Sequence, residues 1–322
     1  MNRYPNMKIA PIALGRLILF LLVVLLVENM YRVSGAMGAD SDHDPPDSAH
    51  LIRMASIFDA MPGVNTEEAR IALEMLMRDI MNAQGDRLRI HLEFITEFNQ
   101  VARKIISERY DLVVLSGLDY LQIRSEAPLT PKLVLSKVDR ATEPLALVTQ
   151  RNETLASLRQ KNPRALIIDA GRAGEGDKLW LDTVLIEAGL GPSDQFFTEI
   201  RRSQKPSRSV LPVFFGQVAA CVVSESALRV MNELNPQIDQ RVQILKRSGD
   251  LVTLLLCATP WADQQDIRMV VAEGVKAASN PKSKQALTMV HMNGFFRFEP
   301  QDLAASEALY KRYRRAMEKW GR

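Results

Sequence analysis

Histidine and cysteine are scarce in this chain, and that scarcity removes most catalytic chemistry from consideration. Its 322 residues include only four histidines, His43, His50, His91 and His291, scattered along the sequence. No G-x-S-x-G elbow, H-E-x-x-H pair, Walker A loop or paired C-x-x-C is present, so the familiar nucleophile, zinc and phosphate-loop constellations are missing. Carboxylates are plentiful, but none forms a pair in a catalytic setting. His43 between Asp42 and Asp44 is the nearest thing to a metal cluster, and it lies in the polar lead-in DSDHDPPDSA, which reads as solvated spacer. The expectation is therefore a non-enzyme with no catalytic residue, no metal and no cofactor. The two cysteines, Cys221 and Cys257, fall in apolar runs and read as buried thiols.

One-sided charge and membrane-length apolar runs are lacking as well. The net charge of +3 resides in residues 1–39, where Arg3, Lys8, Arg16 and Arg32 face a single acid, Glu28, and the remainder is formally neutral. A nucleic-acid or other polyanion surface has no footing there. The apolar run Leu17 to Val27 falls short of the ~20 residues a spanning helix needs. A basic start, that run, and the small residues Ser34-Gly35-Ala36 and Gly38-Ala39 have the grammar of a secretory signal, cleaved after Ala36 or Ala39. The rival reading is an uncleaved N-terminal anchor. Either way the body of the protein is expected outside the cytoplasmic membrane, in the periplasm.

What is present is a globular α/β pattern, with 47% hydrophobic and 25% charged residues. The stretch Val210 to Ile238 organises it: an amphipathic run, a Gly216 turn, a buried strand Val218–Val223, then Ser224 and Glu225 opening a helix. Leu228, Met231 and Leu234 follow at helical spacing, and Asn235-Pro236 closes the helix. Ser224 and Glu225 thus sit where a buried strand ends and a helix begins, the usual ligand edge of an open α/β sheet.

Before this stretch, Leu51–Ile57, Leu88–Phe94 and Tyr110–Leu115 read as strands. Helices are expected between them, over 66–83 and near Asn99–Ser107. This βαβαβ order implies parallel pairing. Lys132–Val138 and Leu145–Thr149 look like a crossing into a second lobe. That lobe takes helices near Thr154–Arg159, Asp177–Ala188 and Pro206–Phe214, a strand Ala165–Asp169, and the segments Phe196–Ile200 and Val242–Leu245. Leu251–Cys257 reads as one long returning strand, followed by helices at Asp263–Ala278, Lys282–Met292 and Asp302–Trp320. Two α/β lobes joined by two crossings make a clamshell. Its parts are a signal (1–39), a linker (40–49), a first lobe (50–145), a second lobe (146–250), and a return to the first lobe with the C-terminal helices (251–322). Cys221 and Cys257 then lie in different lobes, where a disulfide would lock a hinge. The basic, aromatic-bearing terminal helix reads as docked by its aromatic side chains.

The segments VFFGQVAACVV and MNELNPQ, together with SGLDY at 116–120, resemble periplasmic substrate-binding proteins of the phosphonate/phosphate ABC-transporter family. The resemblance implies a type 2 periplasmic-binding fold. It also implies a small oxyanionic ligand such as phosphonate, phosphate or phosphite, held for a membrane ABC permease by a monomer that binds no nucleic acid. A ligand-sensing ectodomain or adaptor for a membrane sensor kinase is the alternative role. In the family the loop matching 171–176 is rich in serine and threonine; here it reads GRAGEG, and Arg172 is the residue that could replace those hydroxyls. An aspartate typical of the turn before the second-lobe strand is absent, with Ala219 at a neighbouring place. The expected ligand-binding residues are Ser56, Phe58, Ser116, Tyr120, Arg172, Ala173, Gly174, Ser224 and Glu225.

Overall fold

The computed structural model describes residues 50–57, 71, 88–136, 142–161, 164–169, 175–203, 205–277, 279–289 and 292–321. The expected signal and linker (1–49), the loop at 58–65, most of the expected helix at 66–83 and the loop residues 171–174 lie outside them. Among the described residues the chain opens with β1 (His50–Ser56) and β2 (Leu88–Phe94), followed by α1 (Val101–Ser107), β3 (Leu112–Leu115) and α2 (Gly117–Ile123). Strands β4 (Thr130–Ser136), β5 (Thr142–Glu143) and β6 (Leu145–Gln150) come next. Then come α3 (Leu155–Leu158), β7 (Ala165–Asp169), α4 (Gly176–Glu187), α5 (Ser193–Phe196), β8 (Glu199–Ser203) and α6 (Pro206–Phe214). The organising stretch continues as β9 (Ala220–Ser224), α7 (Glu225–Leu234), α8 (Gln237–Arg241) and β10 (Val242–Arg247). The return holds β11 (Leu251–Val252), β12 (Leu254–Ala258), α9 (Gln264–Ala277), α10 (Pro281–Met289), β13 (Gly294–Arg297) and α11 (Ala304–Trp320).

These strands form a first sheet in the order β13-β4-β12-β3-β1-β2 and a second in the order β10-β6-β9-β7-β8. Alternate side chains serve opposite faces, as the period of a strand requires. On β12, Leu254, Leu256 and Ala258 enter one core and Leu255 and Cys257 another. On β9, Ala220 and Val222 face the core that contains Trp180 and Leu185, while Cys221 and Val223 face the one that contains Val210 and Met231. Both faces of each sheet are therefore covered, which explains why the strand sequences read as unbroken apolar runs. Cys221 and Cys257 are free, buried and in different sheets, and burial raises both thiols well above the usual range.

Strands β1 to β3 pair in parallel, whereas β12 is antiparallel to both β3 and β4. The carboxyl ends of β1, β3 and β4 and the start of β12 consequently share one edge. In the second sheet β7 and β9 are parallel and β6 and β10 run antiparallel to each other, so the start of β6 shares an edge with the ends of β7, β9 and β10. Two passages connect these edges, one through β5 and one through β11. They pair with each other antiparallel, Leu251 opposite Glu143 and Val252 opposite Thr142. This short ribbon is where a hinge would act.

Several expectations shift in detail. The run at 251–258 is two strands rather than one, broken at Thr253, because β11 serves the crossing ribbon and β12 the first sheet. The segment 196–200 splits into the end of α5 and the start of β8. Leu234, expected on the apolar face of its helix, is 77% exposed at the last turn of α7. Strand β13 was not expected at all. The terminal helix, expected with the first lobe, lies along α4 of the second sheet: Leu309 is buried there, with Tyr310 and Tyr313 packed beside it. Arg312 makes a two-pronged contact with Glu187 on α4.

Helix α2 approaches the ribbon so closely that a Cβ on Gly117 would lie 2.9 Å from Val252 Cβ and 3.3 Å from its carbonyl oxygen. Gly117→Ala should therefore destabilise the fold by about 1–3 kcal/mol through overpacking. The midpoint of urea unfolding checks this, and an unchanged midpoint would contradict the contact.

Candidate functional site

Strand ends and helix starts converge along the two facing edges. Ser56 closes β1 and is buried, with Val114 of β3 opposite it in register. Ser116 follows β3 and caps α2: its hydroxyl accepts the Asp119 N–H at 3.0 Å and donates to Asp119 Oδ2 at 2.6 Å. This places Ser56 and Ser116 on the same edge of the first sheet. Tyr120 lies one turn into α2, where its ring packs against cores of both sheets and burial raises its phenol. On the second sheet, Ser224 ends β9 and caps α7 by accepting the Ala227 N–H at 3.2 Å. Glu225, in the first turn, is ion-paired with Arg247 at the end of β10. The expected residues Phe58, Arg172, Ala173 and Gly174 lie outside the described residues.

Between the edges the two halves touch through α2 and α4. Leu118 and Leu121 of α2 belong to the same core as Leu145, Leu166 and Trp180 of the second half. Gly176, at the start of α4, sits where a Cβ would meet Leu118 Cβ at 3.0 Å, so the two helices approach closely there. Beside it, Asp119 Oδ1 accepts the Glu175 N–H at 3.1 Å. Asp119 is fully buried, and that burial pushes its carboxyl up to about 7, against the opposing pull of the Ser116 and Glu175 hydrogen bonds. The nearby acids Asp177 and Glu175 push in the same direction as burial.

A second carboxylate is also buried against a helix start. Glu143 of the ribbon strand β5 is buried, and its Oε1 accepts the Ser226 hydroxyl and the Ser226 N–H (3.3 Å) in the first turn of α7. Neither Asp119 nor Glu143 was singled out from sequence. The S-x-x-D spacing of Ser116 and Asp119 is a capping-box signature that could have drawn attention to the first. For Glu143 no local signal exists, since its partner is 83 residues away.

A cavity of about 480 Å³ lies elsewhere, among α4, α11 and the segment Lys246–Gly249, and none of the expected site residues lines it. Among the described residues, no group of three or more His, Cys, Asp or Glu side chains is placed to hold a metal ion.

Two sheets joined by a paired double crossing, with helix N-termini along the facing edges, make a two-lobed α/β architecture. The family model for the phosphonate ABC-transporter periplasmic substrate-binding protein matches residues 58–303, and the chain belongs to that family. Its fold is that of XAC2383 from Xanthomonas citri in a chloride-bound structure, with a TM-score of 0.64, 14% identity, and coverage of 84% of this chain and 99% of that one. A binding-protein component of an ABC phosphonate transporter from Pseudomonas aeruginosa is also similar, with a TM-score of 0.60, 10% identity and coverage of 83% and 88%. PhnD1 from Prochlorococcus marinus, in complex with methylphosphonate, has a TM-score of 0.59, 14% identity and coverage of 82% and 98%. At these identities the likeness is one of fold. No curated protein matches the chain by sequence.

Because the folded state raises the Asp119 pKa above its unfolded value, stability from this group is full below about pH 4 and is lost as pH rises toward about 7. Relative to Asp119→Asn, wild-type unfolding free energy should fall across that window by up to about 1.4 kcal/mol per pH unit, then level off. Parallel pH profiles for the two proteins would contradict a buried, titrating Asp119.

Proposed function

We propose that the protein captures a small solute between its two facing sheet edges, outside the cytoplasmic membrane, and presents it to a membrane ABC permease. The observation that carries this reading is the β5–β11 ribbon, which joins two edges lined with helix N-termini through a pair of short strands. Bending at such a ribbon would open and close the space between the edges. Membership of a periplasmic substrate-binding family supports it, and the segment at 1–39, read as an export signal, agrees.

The ligand in this reading is small and bears an oxyanion of the phosphonate or phosphate kind. Supporting this are the family and the fold relative PhnD1, whose structure holds methylphosphonate. Helix N-termini attract such groups through unpaired N–H donors and the helix dipole. Ser56, Ser116, Tyr120, Ser224 and Glu225 are the proposed contacts among the described residues, and Phe58, Arg172, Ala173 and Gly174 are proposed with them from the sequence. Closure around the solute would then favour the ligand-bound form that a permease recognises.

Thermal unfolding against methylphosphonate, phosphite, phosphate, alkylsulfonates and amino acids tests the reading. A true ligand at ~100 times its dissociation constant should add about 2.7 kcal/mol of stability. Stabilisation by non-anionic compounds alone would remove the oxyanion and leave the binding cleft; stabilisation by none would remove solute capture.

A further inference from the structure

The cavity of about 480 Å³ beside α4 and α11 stands apart from the facing edges, and solute capture at those edges makes no use of it. Its volume falls within the roughly 300–1,000 Å³ typical of small-molecule pockets. The lining divides by chemistry. Leu155 of α3 and Trp180 and Val184 of α4 bring apolar side chains to it, and α11 contributes Ala305, Ala308 and Leu309. Leu155 and Val184 are only half-buried, so apolar surface there is left uncovered.

The charged part of the lining is mainly cationic: Lys246, Arg247 and Arg312 stand against a single acid, Glu187. Two of these cations are engaged. Glu187 holds Arg312 in a two-pronged contact, and Glu225, outside the cavity, pairs with Arg247. Lys246, exposed near the end of β10, pairs with no acid among the described residues. The Ser248 hydroxyl is already committed, accepting the Leu145 N–H and donating to the Gly249 carbonyl, both at 2.7 Å. An inorganic oxyanion would meet Lys246 but leave the apolar wall uncovered. An organic cation would meet Lys246, Arg247 and Arg312 as like charges. A molecule apolar at one end and anionic at the other matches both parts of the lining.

We propose that this cavity is a second ligand site, for a small organic monoanion. The ligand is a carboxylate with an aliphatic or aromatic body, its charge on the Lys246 ammonium and its body against Leu155, Val184 and Leu309. The site is separate from the one proposed at the facing edges and stands whether or not that reading holds. Its occupant touches both flanks of the second crossing, because Gly249 precedes β11 and α11 follows the return.

Calorimetric titration with phenylbutyrate, and with phenylbutylamine as the cation on a matching body, tests this. The acid should bind with a dissociation constant of about 1 mM or tighter, as ordinary ligand efficiency gives for its size. The amine should bind at least about tenfold more weakly. Lys246→Gln should weaken the acid by about three- to fivefold, the worth of one partly exposed ion pair. Ala308→Phe puts a ring into the cavity from an exposed position on α11 and should abolish binding of the acid. Both positions are exposed, so both variants should fold as the wild type does. No binding of the acid by the wild type, equal binding of acid and amine, or an unchanged affinity for the acid in either variant would overturn the proposal. A wild type that binds the acid in this pattern but responds to no oxyanion would remove solute capture at the edges and leave this site standing.

Discussion

Where α2 meets the first turn of α4, Asp119 gives up all contact with water and takes its hydrogen bonds from Ser116 and from the Glu175 amide. A buried carboxylate is costly unless its lone pairs are met. Here a hydroxyl on its own helix and an N–H from the opposite half meet them. The bond is therefore both a satisfied polar contact and a tie across the seam. The close approach at Gly176 and the apolar contacts of Leu118 and Leu121 bring the two helices near enough for it to form. A Cβ at position 176 would meet Leu118 Cβ at 3.0 Å, so a larger residue there would press on the seam beside this bond.

The ribbon of β5 and β11 supplies the complementary constraint. It brings the chain across between halves twice, at one place, and its two-residue strands pair only with each other. Glu143 on that ribbon also reaches into the first turn of α7, so the crossing is tied to the second half. The terminal helix adds a third tie, buried against α4 through Leu309 and reaching toward α2 through the Glu307–Arg124 ion pair at 2.9 Å. Among the described residues, the protein thus joins its halves by covalent crossings, by an apolar seam, and by carboxylates that fill helix starts.

Much of the architecture was legible because each sheet is covered on both faces. Unbroken runs such as Ala220–Val223 and Leu254–Cys257 have few alternatives to buried strands. Ser224 was legible as a cap because serine at the junction of strand and amphipathic helix satisfies an otherwise unpaired N–H. The break at Thr253 was not, since a strand that changes sheets keeps the same apolar composition on both sides of the change. Strand β13 escaped because four residues, GFFR, carry too little periodicity to distinguish an edge strand from a loop. The exposure of Leu234 reflects helix length: α7 ends there, before a further turn could cover it. The site carboxylates were hidden for a different reason. Asp119 has its cross-seam partner 56 residues away and Glu143 its partner 83 away, so their roles exist only once the halves are assembled.

Amide hydrogen exchange read at single residues in the ligand-free protein tests the account most directly. If the chain's own carboxylates fill these helix starts, the Glu175 and Ser226 amides will be strongly protected with no solute present. Exchange at both positions as fast as in exposed turns would mean the helix starts stand open, and the seam described here would not exist in solution.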